Sequence, residues 1–399
     1  MNNEYNKKKV IFFIDSLGGG GAERVVSVLS NNIVNRDFYD VSIVMLRKVP
    51  TKYDIDKRIK LVYAQDLPIN TLYGKFIKKM FLVYKKARQK IYKPVMKKLK
   101  RYDKCPRIDE TSFYFYATYA MPYREFMKKN KGATAFGFLI RSNIAMLMAA
   151  KGTGVKTVFC ERNAPVRDDI PRNIMKLRDK LYKICDEAVF QTDEQKDYYT
   201  KIKGKKVVIP NAIKSDLPER FEGVRRNEIV NFCRLSKQKN LPLLIDAFEM
   251  ILKDYSDYTL RIYGRGDEKE NLLNYIASKG LNNKVFLEDF ATDIHERIND
   301  AKMFVSTSDF EGLSNTMIEA MAIGLPCVCT DCDGGGARMM IKDHENGLLV
   351  PKGDLNAVYS AIKEIIENNT LSEKLSKNAT KLKDDLDASK IAQKWIEMI

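Results

Sequence analysis

Short apolar runs alternate with longer segments that repeat apolar residues at helical spacing along most of the chain. The first pair is typical: residues 10–14 are a continuous apolar run, and residues 22–31 place Val25, Val26 and Leu29 on one helical stripe. The other predicted strands are 41–46, 133–140, 155–160, 207–209, 229–233, 260–263, 285–290, 303–305 and 326–330. The further predicted helices cover 142–151, a segment from Leu241, 314–324, 354–368 and a last helix from Ser372 to the C-terminus. This alternation predicts parallel sheets covered by helices, an α/β fold.

One stretch combines this pattern with candidate chemistry. The apolar run 303–305 leads into a polar loop, and a helix is predicted to begin at Ser314 or Asn315 and to end at Gly324. Backbone N–H groups in a first helical turn have no acceptor within the helix and lie at the positive end of its dipole, so they favour an anion. Glu311 precedes this turn and Glu319 lies inside the helix. The two carboxylates cannot share a helix face, so we expect different roles for them.

Length and composition set the broad class. At roughly 100 to 200 residues per domain, 399 residues predict two domains. No apolar run approaches the roughly 20 residues that span a bilayer. The apolar segment 10–14 is too short for a secretory signal. We therefore expect a protein that stays in the cytoplasm.

The cysteines and histidines do not predict a metal site. Seven cysteines scattered over a long chain suit a reducing compartment. Cys327, Cys329 and Cys332 are close in sequence, but no fourth ligand is near, and His295 and His344 lie outside the group. Core packing is the expected role of these cysteines.

Charge divides the chain into unequal halves. Residues 1–205 hold 43 Lys and Arg against 21 Asp and Glu, a net charge of +22, whereas residues 206–399 hold 26 against 31, a net charge of −5. Such a positive half attracts a polyanion or an anionic surface. Nucleic acid and the inner leaflet of a membrane both qualify.

The basic excess is densest in residues 75–104, called the arm below, which hold thirteen basic residues and one acid, Asp103. Because Pro94 interrupts a helix, we predict two helices, the second beginning at or near it. The arm also repeats apolar residues at helical spacing: Ile77, Met80, Tyr84, Ala87, Ile91, Val95 and Leu99. Either the apolar stripe enters a membrane interface, with Lys78, Lys79, Lys85 and Lys86 near anionic lipid, or it packs on the domain while the lysines face water.

Several ordered motifs together resemble the retaining nucleotide-sugar glycosyltransferases of family 4. They are the Glu-x7-Glu pair at 311 and 319, Gly-Gly-x-Glu-Arg at 20–24, Glu-Arg-Asn at 161–163, Val-x-Pro-Asn at 208–211 and Arg-Leu-x-x-Gln-Lys-Asn at 234–240. The chain departs from the family where Cys233 replaces a glycine and where residues 338–341 lack a glutamate. It also has no histidine in its N-terminal half.

The resemblance implies a GT-B fold, with two Rossmann-like domains facing across a cleft. We expect an acceptor-binding domain at 1–206, a linker at 207–226, a nucleotide-sugar domain at 227–375 and a C-terminal helix at 376–399 that returns to the N-terminal domain.

The family's functional positions can be carried over to this chain. Arg234 and Lys239 would bind the donor diphosphate, Glu319 its ribose, and Glu311 the sugar. Backbone groups of Gly312, Leu313, Ser314, Asn315 and Thr316 would contact the donor, and the turns at Gly264, Leu287 and Asp289 would meet the base. The remaining expected contacts are a phosphate and acceptor loop of Gly18, Gly19, Gly20, Gly21 and Glu23, and an acceptor cleft of Arg141, Glu161 and Arg162.

The expected reaction is transfer of a sugar from a UDP-hexose or UDP-N-acetylhexosamine, with retention and without a metal or another cofactor. The expected acceptor is a polyprenyl-diphosphate-linked glycan or polysaccharide at the inner face of the cytoplasmic membrane. Nucleic acid is not expected, because no nucleic-acid-binding motif accompanies the basic residues. A nucleotide-sugar sensor or an epimerase of the same architecture remains the main alternative.

Overall fold

The computed structural model describes residues 7–63, 66–67, 72–98, 112–166, 170–214 and 216–399. The end of the arm, residues 99–104, lies outside the described residues. Two parallel sheets organise the described chain, and the strand order within each sheet reverses beside its first strand. Such a switch point in an open α/β sheet is where ligands bind, at the carboxyl ends of the strands.

The first sheet has the order β3-β2-β1-β4-β5-β6-β7. Its central strands are buried along most of their length, because helices cover both faces. The strands are β1 (Lys8–Ile14), β2 (Tyr39–Met45), β3 (Lys60–Tyr63), β4 (Thr134–Phe138), β5 (Lys156–Cys160), β6 (Glu187–Phe190) and β7 (Lys205–Val208).

The helices between them are α1 (Gly21–Val34), α2 (Leu72–Ala87), α3 (Lys93–Lys98), α4 (Ser112–Phe115), α5 (Met121–Lys129), α6 (Ile140–Ala150), α7 (Arg172–Tyr182) and α8 (Asp193–Tyr198). Two π-helical turns, Arg88–Tyr92 and Tyr116–Ala120, join α2 to α3 and α4 to α5. The second helix of the arm thus begins next to Pro94, as the sequence predicts.

The second sheet has the order β10-β9-β8-β11-β12-β13. Its strands are β8 (Arg226–Phe232), β9 (Thr259–Tyr263), β10 (Val285–Glu288), β11 (Ala301–Ser306), β12 (Cys327–Asp331) and β13 (Leu348–Pro351). Its helices are α9 (Leu241–Ile251), α10 (Lys269–Ser278), α11 (Ile294–Ile298), α12 (Asn315–Ala322), α13 (Gly336–Met340) and α14 (Leu355–Glu367). Both sheets are Rossmann-like, which confirms the predicted fold class.

Two predicted elements are wrong in extent. The strand predicted for 133–140 ends at Phe138, because Leu139 adopts a φ of 70° and turns the chain into α6. Arg141 therefore lies in the first turn of a helix and not at a strand end. The single helix predicted from Ser372 is three helices, α15 (Asn369–Ala379), α16 (Leu382–Asp385) and α17 (Ala388–Ile396). The Asp387 side chain caps α17 by accepting from the backbone N–H groups of two residues in its first turn.

The last helix returns to the first sheet, as the sequence predicts. Trp395 of α17 is fully buried and contacts Phe136 and Phe138 of β4, each at a ring-centroid distance of 5.5 Å. The Lys156 ammonium donates to the Met398 carbonyl at 2.9 Å. Among the described helices, none is both long and apolar enough to cross a membrane.

Replacing Trp395 by alanine should destabilise the protein by about 3–5 kcal/mol, because it removes a large buried aromatic side chain and leaves a cavity. Denaturant unfolding followed by far-UV circular dichroism measures the change. Lys394→Ala, which truncates an exposed side chain one position earlier, is the matched control. A loss below 1 kcal/mol would mean that α17 contributes little to the first sheet.

Candidate active site

The loop and helix after β11 have the predicted form. The helix α12 begins at Asn315, and the Ser314 hydroxyl caps it by accepting from the Met317 N–H. Gly324 ends the segment with a φ of 75°, a conformation that favours glycine. The N–H groups of Asn315 and Thr316 have no acceptor within the helix, since they lie in its first turn. The helix start can therefore bind an anion.

Glu311 and Lys239 form an ion pair at this helix start. Lys239 ends the short 3₁₀ turn Lys237–Lys239 after β8, and the Ser308 hydroxyl also donates to Glu311 at 3.3 Å. Burial opposes the charged form of Lys239, but the Glu311 carboxylate outweighs it and raises the pKa of Lys239 above its ordinary value. The loop thus holds one fixed positive and one fixed negative charge in contact.

Arg234 lies on the open side of the same region. Its guanidinium is exposed and donates to the Gln238 side chain at 3.2 Å. It lines a cleft of about 1040 Å³ between the two sheets. Other lining residues are Pro165, Val166, Glu194 and Tyr198 from the first unit, and Arg265, Asp309, Phe310, Asp333 and Lys352 from the second. Of the three predicted catalytic residues, Arg234 lines this cleft. Lys239 and Glu311 do not line it, but each directly follows a lining residue, Gln238 and Phe310 respectively.

The glycine loop after β1 faces the helix start from the other domain. A Cβ added to Gly21 would lie 3.2 Å from the Asn315 amide nitrogen, so the loop and α12 are in close approach. Gly19 has a φ of 118°, and its N–H donates to the Glu23 carboxylate. Glu23 also accepts from the Ser16 hydroxyl at 2.8 Å. The Glu23 carboxylate therefore stabilises the conformation of the glycine loop through hydrogen bonds to two of its neighbouring residues, Ser16 and Gly19.

Glu319 is buried where the two domains meet, with about 5% of its side chain exposed. Arg24 of α1 forms an ion pair with its Oε1, and His295 Nε2 lies 3.0 Å from its Oε2. Burial would raise the pKa of Glu319, but His295 and Arg24 together hold that pKa below its ordinary value. An ionised carboxylate only accepts hydrogen bonds, so His295 donates through Nε2.

Sequence reasoning missed both partners of Glu319. Arg24 lies in the Gly-Gly-x-Glu-Arg motif, but the resemblance implies no role for it, and the sequence suggests His295 only as a possible metal ligand. His295 lies 24 positions before Glu319 and belongs to no motif, so no local signal could have found it.

The predicted acceptor-cleft residues differ in exposure. Arg162 is buried, donates to the Asn211 side chain and lies over the Phe138 ring, and burial lowers its pKa to about 10. Glu161 is also buried and accepts from the Tyr199 hydroxyl at 2.5 Å. Arg141 is half-buried, with its guanidinium 5.8 Å from the Phe115 ring centre. Glu161 and Arg162 thus form part of the domain's interior wall.

Asn211 joins the two domains. Its amide group donates to the Leu313 carbonyl at 3.0 Å and to the Asn315 side chain at 2.8 Å. Its oxygen accepts from Gln191 at 2.8 Å, and Gln191 in turn accepts from the Leu313 N–H at 3.3 Å. A Cβ on Gly312 would lie 2.1 Å from the Gln191 oxygen, so this contact requires glycine. Sequence reasoning did not single out Gln191.

The turns predicted to meet the base occupy the ends of β9 and β10. The Gly264 N–H donates to the Glu288 carbonyl at 3.0 Å, and a Cβ on Gly264 would lie 1.9 Å from the Cys233 carbonyl oxygen. Leu287 is half-buried, and Asp289 is exposed and paired with Lys269 at 2.9 Å. The turn at Gly264 is therefore packed closely against the loop that carries Arg234.

The cysteines of β12 are core residues. Cys327 and Cys329 are buried in that strand, and burial raises the pKa of neighbouring Cys332 to about 12. Within the described residues, no group of three or more His, Cys, Asp or Glu side chains is placed to hold a metal ion.

The chain is similar in sequence to known glycosyltransferases. Residues 215–382 match the family model of glycosyl transferases group 1. The chain is 28% identical over 402 residues to the N-acetylgalactosamine-N,N'-diacetylbacillosaminyl-diphospho-undecaprenol 4-alpha-N-acetylgalactosaminyltransferase of Campylobacter jejuni, covering 97% of this chain and 98% of that protein. It is 30% identical over 193 residues to the poly(ribitol-phosphate) alpha-N-acetylglucosaminyltransferase of Staphylococcus aureus, covering 48% of this chain and 38% of that one.

The fold is similar to that of solved structures. The crystal structure of Anabaena HepE with UDP and glucose superimposes with a TM-score of 0.74 at 17% identity, covering 98% of this chain and 99% of HepE. This likeness shows the GT-B fold. The family match and the relatives together support glycosyltransferase activity.

Replacing Glu311 by glutamine should lower the pKa of Lys239, because it removes the charge that offsets burial. Since the paired Lys239 has a raised pKa, it stabilises the fold below its ordinary pKa of 10.5, and this contribution is lost as the pH rises through the folded-state value. Titration of ¹³Cε-labelled lysines by NMR measures the shift. The exposed Glu345→Gln should leave the Lys239 resonance unchanged. An unchanged pKa in Glu311→Gln would show that the pair does not control this charge.

Proposed function

We propose that this protein is a retaining glycosyltransferase of family 4 that transfers a sugar from a UDP-sugar. One observation carries the proposal: the start of α12, the Lys239–Glu311 pair and the glycine loop of the opposite domain meet at the carboxyl ends of both sheets. A helix start and two nearby cations suit a diphosphate, since both stabilise negative charge. A carboxylate among them suits the sugar's hydroxyl groups.

In this proposal Arg234 and Lys239 bind the donor diphosphate and offset the charge that grows on it as it leaves. The N–H groups of Asn315 and Thr316 contact its oxygens. Glu319 binds the ribose and Glu311 the transferred sugar. These positive groups belong to the protein itself, so the proposed reaction uses no metal and no other cofactor.

The proposed chemistry breaks the bond between the anomeric carbon and the β-phosphate oxygen. A bond from the acceptor hydroxyl oxygen to that carbon forms on the same face, which retains the configuration. The acceptor's proton passes to the leaving phosphate. Glu311 orients the sugar and supports the positive charge that develops on its ring.

We propose that the acceptor is a polyprenyl-diphosphate-linked glycan at the inner face of the cytoplasmic membrane. The arm supports this because its two faces differ. Ile77, Phe81 and Tyr84 are half-buried, and the Phe81 ring contacts the Tyr114 ring outside the arm at a centroid distance of 5.9 Å. Other apolar side chains of the arm are exposed among lysines, including Phe76 (57%), Leu82, Val83 and Ile91 (65%). Exposed apolar groups beside cations suit the surface of an anionic membrane.

A chain of ring contacts connects the arm to the proposed acceptor cleft. Phe81 of the arm packs on Tyr114, Tyr114 on Phe115, and the Arg141 guanidinium lies over the Phe115 ring. A membrane-bound arm would therefore bring the acceptor side of the first domain close to the lipid. A lipid-linked acceptor could reach the cleft without leaving the bilayer.

Nucleotide release should occur with one donor from a panel of UDP- and GDP-sugars and should increase with an undecaprenyl-diphosphate glycan. Glu319→Ala should lose this release, because the ribose hydroxyls lose the carboxylate that accepts their hydrogen bonds. Glu311→Gln should turn over far more slowly. Binding of nucleotide without release from any donor would favour a sensor. Conversion of the donor into an isomeric nucleotide sugar, without net release of nucleotide, would favour an epimerase. Wild-type turnover in Glu311→Gln would contradict its assigned role.

Neutralising Lys78, Lys79, Lys85 and Lys86 to glutamine should reduce flotation with vesicles containing anionic lipid. Each lysine near such a surface contributes about 1 kcal/mol. A variant with Lys253, Lys342, Lys374 and Lys377 changed to glutamine loses the same charge from exposed positions of the second domain and should float like the wild type. Equal flotation of both variants would rule out the arm as the membrane contact.

A further inference from the structure

The two oxygens of the Glu319 carboxylate contact side chains that belong to different domains. Oε1 is paired with Arg24, which belongs to α1 in the opposite domain. Oε2 is held by His295 Nε2 at 3.0 Å, from α11 in the same domain as Glu319. The contact with Arg24 therefore depends on how the two domains are placed, whereas the contact with His295 lies within one domain.

His295 is itself fixed by packing. Only 4% of the residue is exposed, and its ring meets Phe232 edge-on at 5.7 Å with an interplanar angle of 86°. Phe232 ends β8, the first strand of the sheet, so the imidazole rests on the sheet's centre. A side chain held this way can fix the rotation of a neighbouring carboxylate.

A ribose diol binds best to a carboxylate held in a defined plane. Its two neighbouring hydroxyls donate to the carboxylate together, and each hydrogen bond weakens when its angle departs from the preferred range. Arg24 occupies Oε1 in this structure and would compete with a ribose for it. His295 occupies one side of Oε2 and does not have to leave, since a carboxylate oxygen accepts more than one hydrogen bond.

We propose that His295 is a positioning residue: it fixes the carboxylate plane of Glu319 so that the ribose diol of the donor nucleotide can bind it. This inference rests on the proposed function, in which Glu319 binds the ribose. It names a residue that acts on donor affinity through Glu319 and contacts no reacting atom.

The test compares ligands with and without the diol. Calorimetry measures the dissociation constants of UDP, GDP and their 2',3'-dideoxy counterparts for the wild type, His295→Ala, His295→Gln and His295→Asn. Glutamine places an amide N–H near the position of Nε2, whereas asparagine places it near Nδ1. Glu296→Ala, an exposed change on the same helix, is the control for α11.

In the wild type, loss of the diol should weaken the preferred nucleotide about ten- to hundredfold, the value of hydrogen bonds to a charged group. His295→Ala should weaken that nucleotide by a similar factor and leave its dideoxy counterpart unchanged, so the discrimination disappears. His295→Gln should restore the discrimination, and His295→Asn should not.

Other outcomes would overturn the inference in distinguishable ways. Equal weakening of both ligands in His295→Ala would mean that His295 only supports the fold, and unchanged binding of both would mean that it does nothing at the site. A wild type that binds both ligands alike, or neither, would overturn the ribose role of Glu319 in the proposed function and this inference with it.

Discussion

The contact on which the rest of the cleft depends is the buried amide of Asn211. It lies just after the last strand of the first sheet, donates to the Leu313 carbonyl and to Asn315, and accepts from Arg162 and Gln191. A buried amide that is fully hydrogen-bonded is costly to disturb, because any lost partner leaves a desolvated polar group. This one group holds the loop of the second domain against the wall of the first.

Glycines make this close approach possible. Gly312 lies under the Gln191 side chain, and Gly334, with a φ of 101°, lies so close to the Glu311 carbonyl that a Cβ would be 1.7 Å away. The backbone of Glu311 is therefore held at two points. Its carbonyl packs against Gly334, and its N–H donates to the Asp333 carbonyl at 2.9 Å. Its carboxylate is then held by Lys239. A charged group fixed in this way is preorganised, which is how polar sites stabilise charge that develops during a reaction.

The electrostatics of the two glutamates differ although both are paired. Glu311 has its cation from the same domain, so that pair is a property of the second domain alone. The Glu319 carboxylate contacts a histidine of its own domain through one oxygen and an arginine of the other domain through the second oxygen. Burial opposes ionisation of Glu319, and its partners outweigh that effect. Arg24 of the opposite domain thus helps to keep Glu319 ionised, whereas the pairing of Glu311 involves one domain only.

The sequence by itself determined the alternation of strands and helices, the capped start of the helix at Asn315 and the charge asymmetry between the halves. These are properties of short segments, and local apolar spacing, caps and glycines specify them. It left open whether the apolar stripe of the arm is packed, and the fold divides the stripe, with Tyr84 half-buried and Ile91 exposed. It placed Arg141 at a strand end, but the left-handed backbone of Leu139 begins the helix earlier. Only the tertiary structure brought His295, Arg24 and Gln191 to the site, because contacts between residues far apart in sequence depend on how whole sheets and domains pack and leave no local pattern.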